Sequence, residues 1–461
     1  MNTLLFLEIL FAMAIFYTSI AIFSSYRVKN VTDFFLADRN LGVFSLTFTL
    51  IATQLGSGML LGTAARAYQY GKWGILYVLG ISVGFLILGC GLAGKLRSLQ
   101  ISTTAEIFEI RYHSPGLKLI ASALSILSLW GLFLAQIIAS KHIFFGLEID
   151  NPYIFIGFWL FLIFYTMVGG LASIAIIDSI QVIFIVGVFG YICYQIMPAG
   201  ISEILTVKTS NKLDYHFFYK IPQITELLPT FIAPILFSLI EQDLAQRFFA
   251  ARNKTVATIS AFLSSIFILL FACIPVFFGI YAKIKKISFP SSTSPLIPLL
   301  LKVTSPTVFI LAICAIIAAI TSTADSLLCA TSSNISQDFL PLFPNIKRKL
   351  LISRLISFCT GASALVASFF IKQDIISVIE SSYRLTVSCL FVPIFIAYFN
   401  PSGNKYAALT SIICGGAAFV YAHIFIKYSI IHDLFPLAAS LIGYIVVAGT
   451  GLLLKRCNHA K

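Results

Sequence analysis

Apolar stretches long enough to cross a lipid bilayer recur from one end of this chain to the other, and that repetition restricts the fold more than any other feature. A run of 18 or more apolar residues reads as a membrane-spanning helix, because about 20 residues cover a hydrocarbon core about 30 Å thick. In lipid every backbone N–H and C=O must find a partner inside the protein, so runs this long form helices. The length rule predicts thirteen spans in the 461 residues, at 3–24, 41–65, 73–94, 118–140, 153–169, 174–197, 229–249, 256–282, 306–335, 351–371, 375–399, 406–426 and 433–454. Composition agrees, with 59% hydrophobic and only 11% charged residues, against about 25% charged in a soluble chain. The expected fold class is an all-α membrane protein forming one transmembrane domain over 1–461. The longest polar interval, 198–229, is too short to bury a core of its own.

The first stretch, Thr3 to Ser24, has no basic leader and no small-residue cleavage site, and it carries Glu8. It therefore reads as a retained helix and not as a signal peptide. The net charge of +13 points to membrane topology and anionic lipid, not to nucleic acid, because the basic residues lie in short loops between apolar segments. Residues such as Arg27, Lys29, Arg39, Lys95, Arg97, Arg252, Lys347 and Lys405 fall on one side, and a smaller set including Arg66, Lys72, Lys141, Lys283 and Lys285 on the other. That bias predicts an outside N-terminus and a cytoplasmic C-terminus in a plasma (inner) membrane. Eight of the nine cysteines lie inside apolar segments, with Cys457 in the tail. They read as buried free thiols and not as a disulfide or metal framework.

The spans group as one leading helix (3–24), two blocks of five (41–197 and 229–399) and two C-terminal helices (406–454). Five is odd, so the second block enters the membrane from the opposite side to the first. That is the geometry of an inverted repeat, common among secondary transporters.

Polar residues cluster where a lipid-spanning helix has no use for them. The second span carries Thr53-Gln54-Leu55-Gly56-Ser57-Gly58. This reads either as a broken helix whose freed carbonyls line a cation site, or as a small-residue packing face through Gly58 and Gly62. The ninth span carries Thr321-Ser322-Thr323-Ala324-Asp325-Ser326. Neutral hydroxyls and carbonyls suit a weakly held hard cation; the alternative is hydroxyls bonding back to carbonyls one turn earlier. Asp325 is an ionisable group inside a span, which marks a functional position. Asp178, near the start of the sixth span, reads either as a second such group or as an interfacial residue in water. Glu380 and Arg384, four apart, read as a structural pair, and His423 as a hydrogen-bonded core residue.

Several segments together resemble the sodium:solute symporter family. They are Asp33-Phe34-Phe35-Leu36-Ala37-Asp38-Arg39, the Gly/Ser-rich stretch 52–62, Gly169-Gly170 followed by Asp178 and Gln181, Glu241-Gln242-Asp243-Leu244-Ala245-Gln246-Arg247, and Ser322-Thr323-Ala324-Asp325-Ser326-Leu327-Leu328. The resemblance covers about residues 30–400. It implies a leucine-transporter-type five-plus-five inverted repeat and a sodium-coupled symporter importing a small organic solute such as an amino acid, carboxylate or vitamin. It further implies a sodium site made by the carbonyls of Ala52, Leu55 and Ala319 with the hydroxyls of Ser322 and Thr323. Coupling or gating carboxylates are implied at Asp178 and Asp325, and a solute region at Gln54, Gly56, Ser57 and Gly58. Gln54 departs from the family's proline carriers, which have Asp there, and this weakens a proline assignment.

The competing functions are a proton-coupled carrier of the same fold, with Asp325 as the titrating group, and a polytopic membrane enzyme. The enzyme reading lacks the His/Asp/Arg cluster in a large loop that such chemistry needs. No cofactor is expected beyond Na⁺ as coupling ion, no other metal, and a monomer as the functional unit.

Overall fold

The computed structural model describes residues 3–147, 149, 151–209, 224–289, 294–371, 375–400, 403–426 and 430–459. Among them there is no strand, only an isolated bridge between Leu41 and Ala251. Helix starts follow local chemistry. Ser114 accepts from Leu117 N ahead of Pro115, and Asn253 accepts from Val256 N at 2.9 Å, satisfying N–H groups that the first turn leaves free.

Among the described residues ten helices are long and apolar enough to cross a membrane, where the length rule anticipated thirteen spans. The difference has physical causes. The second span is broken, which leaves Val43–Gln54 at twelve residues. Its continuation, Gly58–Ser98, covers 41 residues but turns at Gly71 (φ 59°, ψ −132°), so it holds both the rest of the second span and the third. Pro152–Thr209 likewise joins two helices directly across a kink at Gly170 (φ 65°, ψ −167°), where two spans with a short loop were expected. A Cβ at Gly170 would lie 2.5 Å from the Phe34 carbonyl oxygen, so glycine serves here for both backbone angle and close approach. This run also continues helical to Thr209, well into the interval expected to be polar loop. Residues 210–223 lie outside the described residues.

Pro306–Asn334 is the central helix. The hydrophobic window of the span it begins, Pro306–Leu342, is 83% buried, against 22% for the first helix. It packs on Pro115–Gly146, Pro152–Thr209 and the broken second span. Its far end is held at Asp338, which accepts from Thr103 Oγ1 at 2.8 Å and Ser122 Oγ at 2.7 Å, with Lys118 Nζ at 3.8 Å. The two C-terminal helices, Lys405–Phe425 and Ile430–His459, pack mainly on each other and on Ile375–Phe399, away from the central helix.

Three expectations are corrected. His423 is exposed and stacks against Phe419 at 6.2 Å; it is not a core residue. Cys90, Cys273 and Cys359 are exposed on helix surfaces, while Cys193, Cys314, Cys329 and Cys389 are buried thiols. Asp178 is fully buried, so the interfacial reading fails. The side chains of Glu380 and Cys457 lie outside the described residues.

Candidate functional site

The second span breaks at residues 55 and 56. Val43–Gln54 ends with Leu55 as its cap, and a π-helical turn runs Gly58–Gly62. Two contacts hold the break. The Ser57 N–H, freed from the ladder, donates to Gln136 Oε1 at 3.1 Å. At Gly56 the central helix comes so near that an added Cβ would lie 2.5 Å from Thr323 Oγ1. The break takes in only two residues of the polar run 53–58, and Gly58 faces Tyr77 instead of forming a small-residue packing stripe with Gly62.

Opposite the break, the hydroxyls of Ser322 and Thr323 reach across. Ser322 Oγ lies 3.0 Å from the Ala52 carbonyl oxygen and 2.9 Å from that of Ala319. Thr323 Oγ1 lies 2.9 Å from the Thr53 carbonyl, 3.3 Å from Ala319 and 3.4 Å from Ala52. Each hydroxyl therefore bonds back to a carbonyl of its own helix, as one reading expected, and also to a carbonyl of the second span. Four of the five residues singled out for the cation converge, with Thr53 as an additional oxygen. Neither hydroxyl reaches the Leu55 carbonyl.

Behind this cluster sits a buried charge network built on Arg247. Its Nε donates to Thr49 Oγ1 at 3.0 Å, Nη1 to the Asp243 carbonyl at 2.8 Å, and Nη2 to Ser326 Oγ. Thr49 donates in turn to Asp178 Oδ2, which lies 3.8 Å from the Arg247 guanidinium. Asp325 Oδ2 accepts from Tyr165 at 3.0 Å, and Gln181 Nε2 donates to Thr321. Among the described residues, Asp178 Oδ1, Asp325 Oδ1 and Gln181 Oε1 have no hydrogen-bond partner. Unmet acceptors in a buried site are costly and form a lining to which a cation or a proton is attracted. Asp178 and Asp325 are both fully buried, and each accepts from a hydroxyl.

On the other side of the break is a cavity of about 390 Å³, part of it open to solvent, lined by Gln54, Gly56, Gly58, Gln136, Glu241 and Tyr383 among others. Ser57 is buried and its hydroxyl unpartnered, but it does not line this space. Tyr77 and Tyr383 close one side, hydroxyl to hydroxyl at 2.9 Å, and separate the cavity from a second one bearing Arg66 and Arg384. Sequence reasoning did not single out Gln136, Arg247 or Glu241. Gln136 carries no local signal, whereas the buried Arg247 sits within a polar run, Glu241 to Arg247, that stands out in an apolar chain.

A helix bundle with a broken helix facing a hydroxyl-rich central helix, and a cavity at the break, defines a secondary transporter. Solved structures agree on the fold. A Na⁺-coupled sialic acid symporter in a substrate-bound outward-open state superposes with a TM-score of 0.81 at 19% identity, covering 96% of this chain and 98% of that one. A nucleobase-cation-symport-1 family transporter in a closed conformation gives a TM-score of 0.54 at 13% identity, covering 90% and 94%. The profile of the sodium:solute symporter family matches residues 34–415, and the chain belongs to that family. Its activity is sodium-coupled symport across a membrane.

Proposed function

We propose that the coupling ion is held by the carbonyl oxygens of Ala52, Leu55 and Ala319 and the hydroxyls of Ser322 and Thr323, and that the cavity beside the break takes a small organic solute for import. The observation that carries this reading is the convergence of Ser322 and Thr323 on the carbonyls of Ala52 and Ala319. These oxygens lie 2.9–3.4 Å apart. A cation of calcium-like radius, such as Na⁺, holds its oxygens at about 2.3–2.6 Å. Neighbours in an octahedral shell then sit about 3.3–3.7 Å apart, so the cluster needs to open by only a few tenths of an ångström. Leu55, at the break, closes the shell if its carbonyl turns inward. Neutral ligands bind weakly enough for release in every cycle.

The solute cavity and this cluster share Thr323, Thr53 and Gly56. Filling the cation site fixes the geometry of the break and thereby the floor of the cavity, and this shared floor is the coupling we assign. Asp178 and Asp325 hold the charge balance behind it. The transport unit is a single chain in the plasma membrane, multi-pass, with its N-terminus outside and its C-terminus in the cytoplasm.

Thr323→Ala removes one ligand with little change of shape. It should raise the sodium concentration for half-maximal uptake about tenfold, the scale of one lost polar contact in a buried site, and change solute affinity at saturating sodium much less. Wild-type sodium dependence in Thr323→Ala would refute the site.

A further inference from the structure

The cavity beside the break holds a concentration of negative charge that the sodium reading does not use. Glu241 and Asp243 line it, only 6% and 1% exposed. Two carboxyl groups two residues apart on the wall of one cavity form an acceptor pair suited to a cation. Glu241 occupies the N-cap position of the helix Gln242–Ala250, yet its side chain makes no capping hydrogen bond, so helix capping does not account for it. Arg247 acts electrostatically on both carboxyl groups, but its guanidinium donates to Thr49, Ser326 and the Asp243 backbone and faces Asp178. Arg66 and Arg384 line a separate cavity beyond Tyr77 and Tyr383.

A second observation is independent of the acid pair. Gln136, 4% exposed, lines the same cavity; its Oε1 accepts from Ser57 N, while its Nε2 donates to no group among the described residues. The cavity therefore offers acceptors at one wall and an unused donor at another, beside the Tyr77 and Tyr383 side chains.

We propose that the transported solute carries a protonated amine, which binds the Glu241–Asp243 pair. This rests on the symport reading above and narrows its solute to organic ammonium compounds, against free carboxylates, sugars and anions. A positive charge bound there offsets the charge of the pair and lowers the cost of moving the loaded site through a low-dielectric surround. Gln136 Nε2 takes an acceptor on the solute's other end.

The test is charge movement in liposomes containing the purified full-length chain, exposed in turn to ethanolamine, choline, alanine and lysine, to lactate and succinate, and to glucose and inositol. Sodium-dependent current with one or more of the ammonium compounds, and none with the anions or neutral sugars, is expected. A response to alanine alone would add a carboxylate contact at Gln136 Nε2; a response to ethanolamine would show that the protonated amine suffices, and one to choline alone, which has no N–H, would overturn the proposal. Glu241→Gln should weaken apparent affinity about ten- to hundredfold, the scale of a lost charge-assisted contact, while Glu241→Asp retains the ammonium preference. Sodium-induced thermal stabilisation of each variant reports folding and the cation site separately. Current with an anion or sugar, or silence of every ammonium compound in protein that sodium still stabilises, overturns the proposal. An ammonium current indifferent to sodium would instead overturn the sodium site and leave this assignment standing.

Discussion

At Gly56 one absent methyl group sets the distance between the two halves of the site. A Cβ there would lie 2.5 Å from Thr323 Oγ1 and 2.9 Å from Thr323 Cβ, and both belong to a helix buried on all sides. Gly56→Ala should therefore push the break away from Ser322 and Thr323. The expected outcome is a rise of at least about tenfold in the sodium needed for half-maximal transport, since a displaced ligand costs as much as a missing one, with the protein still folded. Sodium titration of transport, paired with a thermal melt, checks it. Gly58→Ala, where the added carbon would meet only Tyr77 and Ile379 at 3.2 Å and beyond, should act on the solute instead. At this scale the hydroxyl cluster was legible because Ser322, Thr323 and Asp325 interrupt an apolar run. Thr53 was hidden, since it contributes through a carbonyl that every residue possesses. Glu241 could be read as part of a motif but not as a cavity wall, because burial and facing are properties of the packed bundle.

Among the elements, the broken span depends on a partner far away in sequence. A helix end inside a membrane must have its free N–H groups satisfied, and at Ser57 the acceptor is Gln136 of Pro115–Gly146. Gln136→Leu fills similar space but leaves that N–H unmet. The expected result is a loss of about 1–3 kcal/mol, seen as a lower melting temperature and as faster amide exchange confined to residues 55–60. A uniform change in exchange along the whole span would show that Gln136 is not the anchor. The two glycines announced the break in the sequence. Its partner did not announce itself, because one glutamine in a long apolar helix carries no periodicity linking it to residue 57. The same limit applies to span number. Length and hydropathy locate apolar runs well, but they cannot distinguish a kink at Gly170 from a loop between two helices, nor tell that the helix beginning at Pro152 continues through Pro198 to Thr209.

For the whole molecule, the fold class and family were legible because lipid imposes a long, repeated pattern and because ordered motifs fix the family. Orientation rests on a smaller signal, the excess of basic residues on one side, and the bundle supplies a consistency that the sequence lacks. Arg39 donates to the carbonyls of Gln100 and Ile101, Arg97 to that of Ala251, and Arg252 to Asn40 Oδ1. These basic loops therefore meet at one end of the bundle, as the alternation of spans requires. At the opposite end Tyr68 donates to the Ile287 carbonyl and Arg66 to Thr230, which gathers the other loops. The proposed orientation puts the Arg39–Arg252 end of this body in the cytoplasm. Ser288 and Asn345 are both exposed and lie on connections at opposite ends. In a background lacking the exposed native cysteines, Ser288→Cys should react with a membrane-impermeant maleimide in intact cells. Asn345→Cys should react only after permeabilisation. The reverse pattern would invert the molecule, making the direction assigned to solute movement wrong while leaving fold and cation site untouched. Labelling of both positions in intact cells would mean that the two loops share a side, which no odd number of crossings between them allows.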